Sequence, residues 1–412
     1  MATRNTPQAQ ASAPNYLVPF IIVTALFGIF GFLTNLNSNL APKLEDIFNL
    51  NHMWSNFVTT SWFLAYLVFS VPSGKLIERI GYKRTMVTSL FIMVVGALLF
   101  IPAALMVSFP VFLTASFVLA TGVCVLQVSA NPYVSILGPE SSAPARLTLA
   151  QAFNSLGSGL APLVVGYFIL TDNSVTDPKA IAHTVMGPYI AIATALFVLG
   201  FAVMFLHLPA VSSSRSAEDS PAAGRSIWSF KHTVLSMVGI FFYVGVEIAL
   251  AANAIKFFKT QGIDSKDTAA LLASFYMFAI MLGRFAGTVA MKKVRANVLL
   301  AGLGFFGVAL LLVAMVTTGP VAVWSLILCG LANSIMYPTI FALGIAELGP
   351  LTSEGSGIIS IGNVGGAVIP PLFGALAVAT SYQHAFVLPI VCYIFIAYYG
   401  LSGYKPSRAA TN

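Results

Sequence analysis

Residues 150–166 read AQAFNSLGSGLAPLVVG, and 208 positions further on residues 358–374 read IISIGNVGGAVIPPLFG. Laid on one another, they pair Gly157 with Gly365, Pro162 with Pro370 and Gly166 with Gly374, and the same shift carries Gly122 onto Gly330. A shift of 209 lays Gly74-Lys75 on Gly283-Arg284 and Lys83-Arg84 on Lys292-Lys293. Chance similarity between two Gly-rich helices does not keep so nearly one offset across four separate places. An internal duplication does, and inverted or parallel repeats are a common way of building a membrane-spanning bundle.

The composition around these stretches makes the bilayer the solvent. Of 412 residues, 58% are hydrophobic and only 8% charged, with a mean hydropathy of +0.89. A soluble chain carries about a quarter charged residues, so too few remain here to solvate an exterior. Twelve apolar stretches are long enough to cross about 30 Å of hydrocarbon as helix: 17–40, 54–75, 85–106, 109–136, 147–170, 187–207, 232–257, 267–290, 297–317, 320–346, 355–379 and 384–403. The expected fold class is therefore an all-α membrane protein with 12 transmembrane helices in two six-helix pseudo-repeats. The polar stretch VSSSRSAEDSPAAGRS divides them. The expected organisation is a cytoplasmic tail over 1–16, a six-helix bundle over 17–207, a cytoplasmic linker over 208–231, a second bundle over 232–403 and a tail over 404–412.

Orientation follows from the basic residues. Arg4, Lys75, Arg79, Lys83, Arg84, Arg146, Arg215, Arg225, Lys231, Arg284, Lys292, Lys293, Arg295, Lys405 and Arg408 fall on one side, and Lys43, Lys179, Lys256, Lys259 and Lys266 on the other. The richer side is cytoplasmic by the positive-inside rule, which puts both termini there and places the protein, multi-pass, in a cell inner (plasma) membrane. The three cysteines each stand alone in an apolar run and read as buried hydrophobes. The five histidines sit at span ends or in loops, read as surface groups, and show no metal-ligand spacing. There is no nucleophile paired with a base, no phosphate loop and no aromatic-basic patch for nucleic acid. An enzyme, a resident cofactor and a nucleic-acid partner are all unsupported.

Polar side chains inside apolar spans are costly and mark a pathway by default. Glu247, in FFYVGVEIALAANAIKFF, is the only acid near the middle of a span, about 15 residues into the seventh. A proton or a bound cation is its natural partner. Amides gather at Asn35, Asn37 and Asn39 in the first span, at Gln127 and Asn131 in the fourth, and at Gln151 and Asn154 on one face of the fifth. Asn253, Asn333 and Asn363 occupy the seventh, tenth and eleventh. Each amide offers donors and an acceptor without net charge, which suits a hydroxylated ligand. Phe30, Trp62, Tyr66, Tyr243, Tyr276 and Tyr337 are the aromatics placed to stack on a pyranose, Trp62 and Tyr66 lying one helical turn apart. The breaks Asn131-Pro132 and Tyr337-Pro338 fall in similar places in the two halves and read as gating kinks.

The loop GKLIERIGYKR at 74–84 carries a family resemblance. Gly74, Glu78, Arg79, Gly81, Lys83 and Arg84 match the signature of the major facilitator superfamily, and are expected to form a charge latch between spans; the second copy lacks the acid. LQVSANPYVSILGPE (126–140), RLTLAQAFNSLGSG (146–159), FYVGVEIA (242–249) and TSEGSGIISIGNVGGAVIPP (352–371) narrow it. Over residues 17–403 the chain resembles the fucose:proton symporter family, and within it the glucose/galactose branch. That resemblance implies import of a monosaccharide by alternating access, coupled to H+ or Na+, by a monomer. The positions that carry coupling acids in the fucose symporter correspond here to Ser38 and Gln127, which do not titrate, so coupling is expected at Glu247. Any Na+ ligands beyond it are unassigned. Sugar contacts are expected from Gln127, Gln151 and Asn154 first, and from the other amides and aromatics around them. The alternatives are a hexose uniporter, a drug or lipid exporter and a non-transporting sugar receptor.

Overall fold

The computed structural model describes residues 16–47, 52–168, 178–206, 208–209 and 225–406, and of these the side chains other than those of 36–47, 52–59, 164–168 and 178–185. Among the described residues the chain is helical throughout. The first half comprises α1 (Leu17–Ile47), α2 (His52–Leu105), α3 (Phe109–Ile136), α4 (Ala143–Phe168) and α5 (Pro178–Phe205). The second comprises α6 (Lys231–Thr260), α7 (Lys266–Ala290), α8 (Ala296–Val316), α9 (Pro320–Asn333), α10 (Met336–Gly344), α11 (Thr352–Ile361), α12 (Gly365–Ala379), α13 (Tyr382–Ala385) and α14 (Val387–Tyr398).

Ten described helical stretches are long and apolar enough to cross a membrane. The longest, Thr60–Leu105, is two of the expected spans folded about Gly81. Gly81 has φ +81° and ψ 164°, a backbone that L side chains rarely adopt, so the chain turns there without a loop. The expected fifth span is the helix α4. The tenth and eleventh are each broken once, α9 from α10 ahead of Pro338 and α11 from α12 by a 3₁₀ turn over Gly362–Val364. With these allowances each of the twelve expected spans has a helix. Large apolar side chains face outward, Val378 89% and Val316 82% exposed, as lipid requires and water forbids.

The duplication has a packing cause. A Cβ on Gly157 would run into the backbone of Gly28 on α1, and a Cβ on Gly365 would run into the backbone of Phe241 on α6. The two matched glycines thus permit the same close approach, α4 on α1 in one half and α12 on α6 in the other.

The halves meet at the end that holds the 74–84 loop. There a Cβ on Gly74 would lie 2.7 Å from the Ser353 carbonyl oxygen, and one on Gly357 2.7 Å from that of Ser70. Ser356 Oγ donates to the Val128 carbonyl at 2.7 Å, and the Tyr82 and Ser353 hydroxyls are 3.2 Å apart. The Glu347 N–H donates to the Glu140 carboxylate at 2.9 Å. Of the expected linker, only 208–209 and 225–231 are described, and Asn37, Ser38 and Asn39 lie outside the described side chains.

Candidate functional site

Between the halves lies a cavity of about 890 Å³. Its wall follows α4 from Gln151 to Leu163 and α7 from Arg284 back to Ser274. Both tracks run away from the sealed end.

One wall is made of neutral amides. Asn35 of α1, Gln127 of α3, and Gln151 and Asn154 of α4 all border the space, beside Tyr66 and Phe63 of α2. Asn154 and Gln151 share a face because they lie three positions apart on the helix. Part of their capacity is already engaged, since Asn154 Nδ2 donates to the Phe27 carbonyl at 3.1 Å. The facing wall carries charge. Glu247 and Tyr243 come from α6, Arg284 from α7 and Tyr337 from α10, with Asn363 from the 3₁₀ turn. Among the described residues Glu247 and Arg284 are the only ionisable acid and base lining the cavity. They share this wall without forming a direct ion pair among the described residues. The Tyr243 hydroxyl is within the field of both, yet is buried with no hydrogen-bond partner at good geometry.

Other sequence candidates sit behind the wall. Asn131 is fully buried, where it donates to the Tyr337 hydroxyl at 3.4 Å and accepts from Gln151 Nε2 at 3.4 Å. The two proline-linked positions therefore touch one another, although α3 runs unbroken through Pro132 and only the second lies beside a helix break, between α9 and α10. Asn333 is buried too, donating to the Tyr276 hydroxyl at 2.6 Å and accepting from the Tyr393 hydroxyl at 2.8 Å. Tyr276 in turn donates to the Glu247 backbone carbonyl at 3.4 Å, so this network braces the helix turn that carries the acid. Asn253 donates to the Ala249 carbonyl of its own helix at 2.9 Å. Trp62 packs against the core and does not border the cavity, whereas Phe63 next to it does.

The 74–84 segment shows no charge latch among the described residues in this structure. Glu78, Arg79 and Arg84 are exposed, and among the described residues Glu78 makes no ion pair. Lys83 Nζ donates to the Met204 carbonyl at 2.8 Å within its own half. The contacts that close this end come instead from Gly74, Gly357, Tyr82, Ser353 and Ser356, with the Glu347 N–H on the Glu140 carboxylate. His232 is a second departure, buried with a ring nitrogen 3.0 Å from the Ala346 carbonyl rather than at a surface.

Arg284 is the largest correction. The sequence assigned it to a basic loop, the counterpart of Lys75. In the structure it is buried inside α7, where Nε donates to the Ser334 carbonyl at 3.1 Å, while Nη1 donates to the Gln151 carbonyl at 3.1 Å and to the Ser155 hydroxyl. Only a residue in the bundle interior finds acceptors on both halves.

Two duplicated helical bundles enclosing a cavity in which amides, tyrosines, Glu247 and Arg284 stand among apolar side chains, and sealed at one end, define a multi-pass membrane carrier. The Major Facilitator Superfamily model matches residues 22–363. A glucose/galactose transporter of Brucella abortus is 42% identical over 398 residues, 96% of each chain. The L-fucose-proton symporter of Escherichia coli is 30% identical over 93% of this chain and 92% of its own. The crystal structure of the E. coli fucose:proton symporter in the outward conformation superposes with a TM-score of 0.87 at 28% identity, covering 95% of this chain and 99% of that one. The chain belongs to the Major Facilitator Superfamily and, within it, to the family that holds these transporters; it is not an enzyme.

Proposed function

We propose that the protein imports a monosaccharide, of the glucose/galactose type carried by its relatives, by alternating access, and that a cation, H+ or Na+, is bound at Glu247 in the same cycle. The observation that supports this best is the composition of the cavity. Four neutral amides face its single carboxylate, so hydroxyl recognition and cation binding share one space. A cavity for apolar drugs or lipids would not spend four amides on its wall. The basic residues of 74–84 lie at the sealed end, which by the positive-inside rule supports a cavity facing outward, both termini in the cytoplasm and a bacterial inner membrane as the location. The two bundles, 17–207 and 232–403, would then rock about the cavity as bodies, with the chain acting as a monomer.

The test is uptake of labelled glucose and galactose into proteoliposomes, with proton and sodium gradients imposed separately. Wild-type protein is expected to accumulate sugar under one of them. Glu247→Gln keeps the shape of the side chain without its charge, and is expected to retain sugar exchange while losing accumulation against a gradient. Equilibration without accumulation under either gradient would instead make the protein a uniporter, and Glu247 a sugar ligand.

A further inference from the structure

The sequence places Asn131 among the cavity amides, and the structure sets it behind the wall, fully buried on α3. From there it touches both halves. Gln151 Nε2 of α4 donates to its Oδ1 at 3.4 Å, and its own Nδ2 donates to the Tyr337 hydroxyl of α10 at 3.4 Å. Gln151 and Tyr337 border the cavity, and Asn131 does not. A chain of hydrogen bonds thus runs from the amide wall of the first half, under the surface a ligand meets, to a tyrosine of the second.

Each member of this chain is held from another side as well. The Gln151 backbone carbonyl accepts from Arg284 Nη1 at 3.1 Å. The Tyr337 ring lies nearly parallel to that of Phe341, 6.2 Å away at 13°, which leaves the hydroxyl torsion as its main freedom. Asn131 precedes Pro132, which has no N–H to give to the carbonyl four residues back. That carbonyl, on Val128, accepts instead from Ser356 Oγ of the second half at 2.7 Å, so α3 is pinned to α11 about one turn before Asn131.

The direction of these bonds decides what a ligand meets. An amide side chain has one donor end and one acceptor end. With Nε2 of Gln151 turned to Asn131, the end left over is Oε1, an acceptor. With its oxygen taking a hydrogen from Asn131, Tyr337 has its own hydrogen to give. Asn363 stands beside the same hydroxyl with its Nδ2 on the Ser360 carbonyl at 2.8 Å, so its Oδ1 is a further acceptor for that hydrogen and leaves the polarity unchanged.

We propose that Asn131 is the positioning residue that sets the hydrogen-bond polarity of the sugar site: it holds Gln151 as an acceptor and Tyr337 as a donor, one from each half, without touching the ligand. The idea rests on the cavity being the sugar site. A ligand hydroxyl that gives to Gln151 and one that takes from Tyr337 then bind with neither side chain left to reorient. A site built in this way for a hydroxyl rejects the analogue that lacks it.

The test is discrimination among analogues of glucose or galactose, whichever stabilises the wild type more, in which one hydroxyl at a time is replaced by hydrogen or by fluorine. Binding is read as the concentration of each sugar that half-saturates the rise in melting temperature of the full-length protein in detergent. Tyr337→Phe marks the hydroxyl that Tyr337 serves, as the position whose replacement by hydrogen no longer matters, and Gln151→Ala marks the other. In the wild type each of these two replacements by hydrogen should weaken binding ~fivefold, the measure of one neutral hydrogen bond. Fluorine accepts weakly and does not donate, so it should restore part of the affinity at the Tyr337 position and none at the Gln151 position. Asn131→Leu is close in size and has no polar end. It should level the discrimination at both positions together, with the two deoxy analogues bound as by the wild type, whereas a purely structural role would weaken the hexose and every analogue alike. If Asn131→Leu fails to give a monodisperse protein, Asn131→Ser, whose hydroxyl is too short to bridge the two neighbours, carries the same expectation. Discrimination at both positions that survives the loss of Asn131 overturns the proposal, as does uniform weakening, and as does fluorine restoring affinity at the Gln151 position instead of the Tyr337 position. Wild-type protein that binds neither hexose overturns the sugar reading and this proposal with it, whereas wild-type binding with discrimination unaltered in the Asn131 variant overturns this proposal alone.

Discussion

The two halves are alike where their helices pack and unlike where they face the cavity. Gly157 and Gly365 play one part in both, each removing a Cβ so that a later helix can lie on the first helix of its half. The walls have parted. The first half presents Asn35, Gln127, Gln151 and Asn154, and the second presents Glu247, Arg284 and a group of tyrosines. Duplication preserved what the fold needs and released the surface that faces the ligand. Neutral amides recognise hydroxyls without a change of charge state, while a carboxylate facing a guanidinium responds to ions. The proposed function thus divides the labour between the halves, recognition on one and coupling on the other.

The shared packing can be broken symmetrically, and this should be the largest effect of the three that follow. Gly157→Val and Gly365→Val each drive a branched side chain into backbone that has no side-chain torsion with which to yield. Overpacking of this kind costs about 1–3 kcal/mol or more. Each variant is expected to lower the melting temperature in detergent by several degrees, and by similar amounts. A large drop for one and none for the other would show that the repeat is shared in sequence but not in mechanics.

The unlike walls are sharpened by Gln151→Ala. Gln151 borders the cavity with its side chain and holds Arg284 with its backbone carbonyl, which the substitution leaves in place. Loss of one neutral hydrogen bond to a ligand is worth about 1 kcal/mol, so apparent sugar affinity should fall roughly fivefold by the same measure. The dependence of accumulation on the cation gradient should not change. A change in coupling with affinity intact would place coupling on the amide wall and erase the division proposed above.

Hydropathy made the spans legible, and the offset of Gly157 from Gly365 made the duplication legible, because both are properties of the chain's own periodicity. The site was legible only in part. The sequence shows that Asn131, Asn333 and Asn253 lie inside the bundle, but an amide on a cavity and an amide bonded between helices look the same until neighbours are known; Asn333 is held by Tyr276 and Tyr393, 57 and 60 residues away. Trp62 and Phe63 differ by one position and therefore by about 100° around the helix, finer than the uncertainty in where that span starts to turn. Arg284 was misread for a related reason. It lies close to the end of an apolar run and matches Lys75 by offset, so it was counted with the loop charges, although α7 continues to Ala290.

The smallest effect belongs to the seal itself. Several contacts close that end, and most are backbone approaches at Gly74 and Gly357 that no single side chain controls. Tyr82 adds one hydroxyl contact to Ser353 at 3.2 Å, partly buried, while its ring also packs 5.9 Å from that of Tyr133 within the first half. Tyr82→Phe removes the hydroxyl and keeps the ring. A neutral hydrogen bond in a partly hydrated place contributes about 0.5–1 kcal/mol net, so the sealed state should lose roughly two- to fivefold in population relative to the open one. The expected result is a modest rise in the rate of sugar exchange if opening limits it, with affinity and cation dependence unchanged. A change in sugar affinity or cation dependence as large as that of Gln151→Ala or Glu247→Gln would mean that the seal, rather than the cavity wall, sets the balance between the two states.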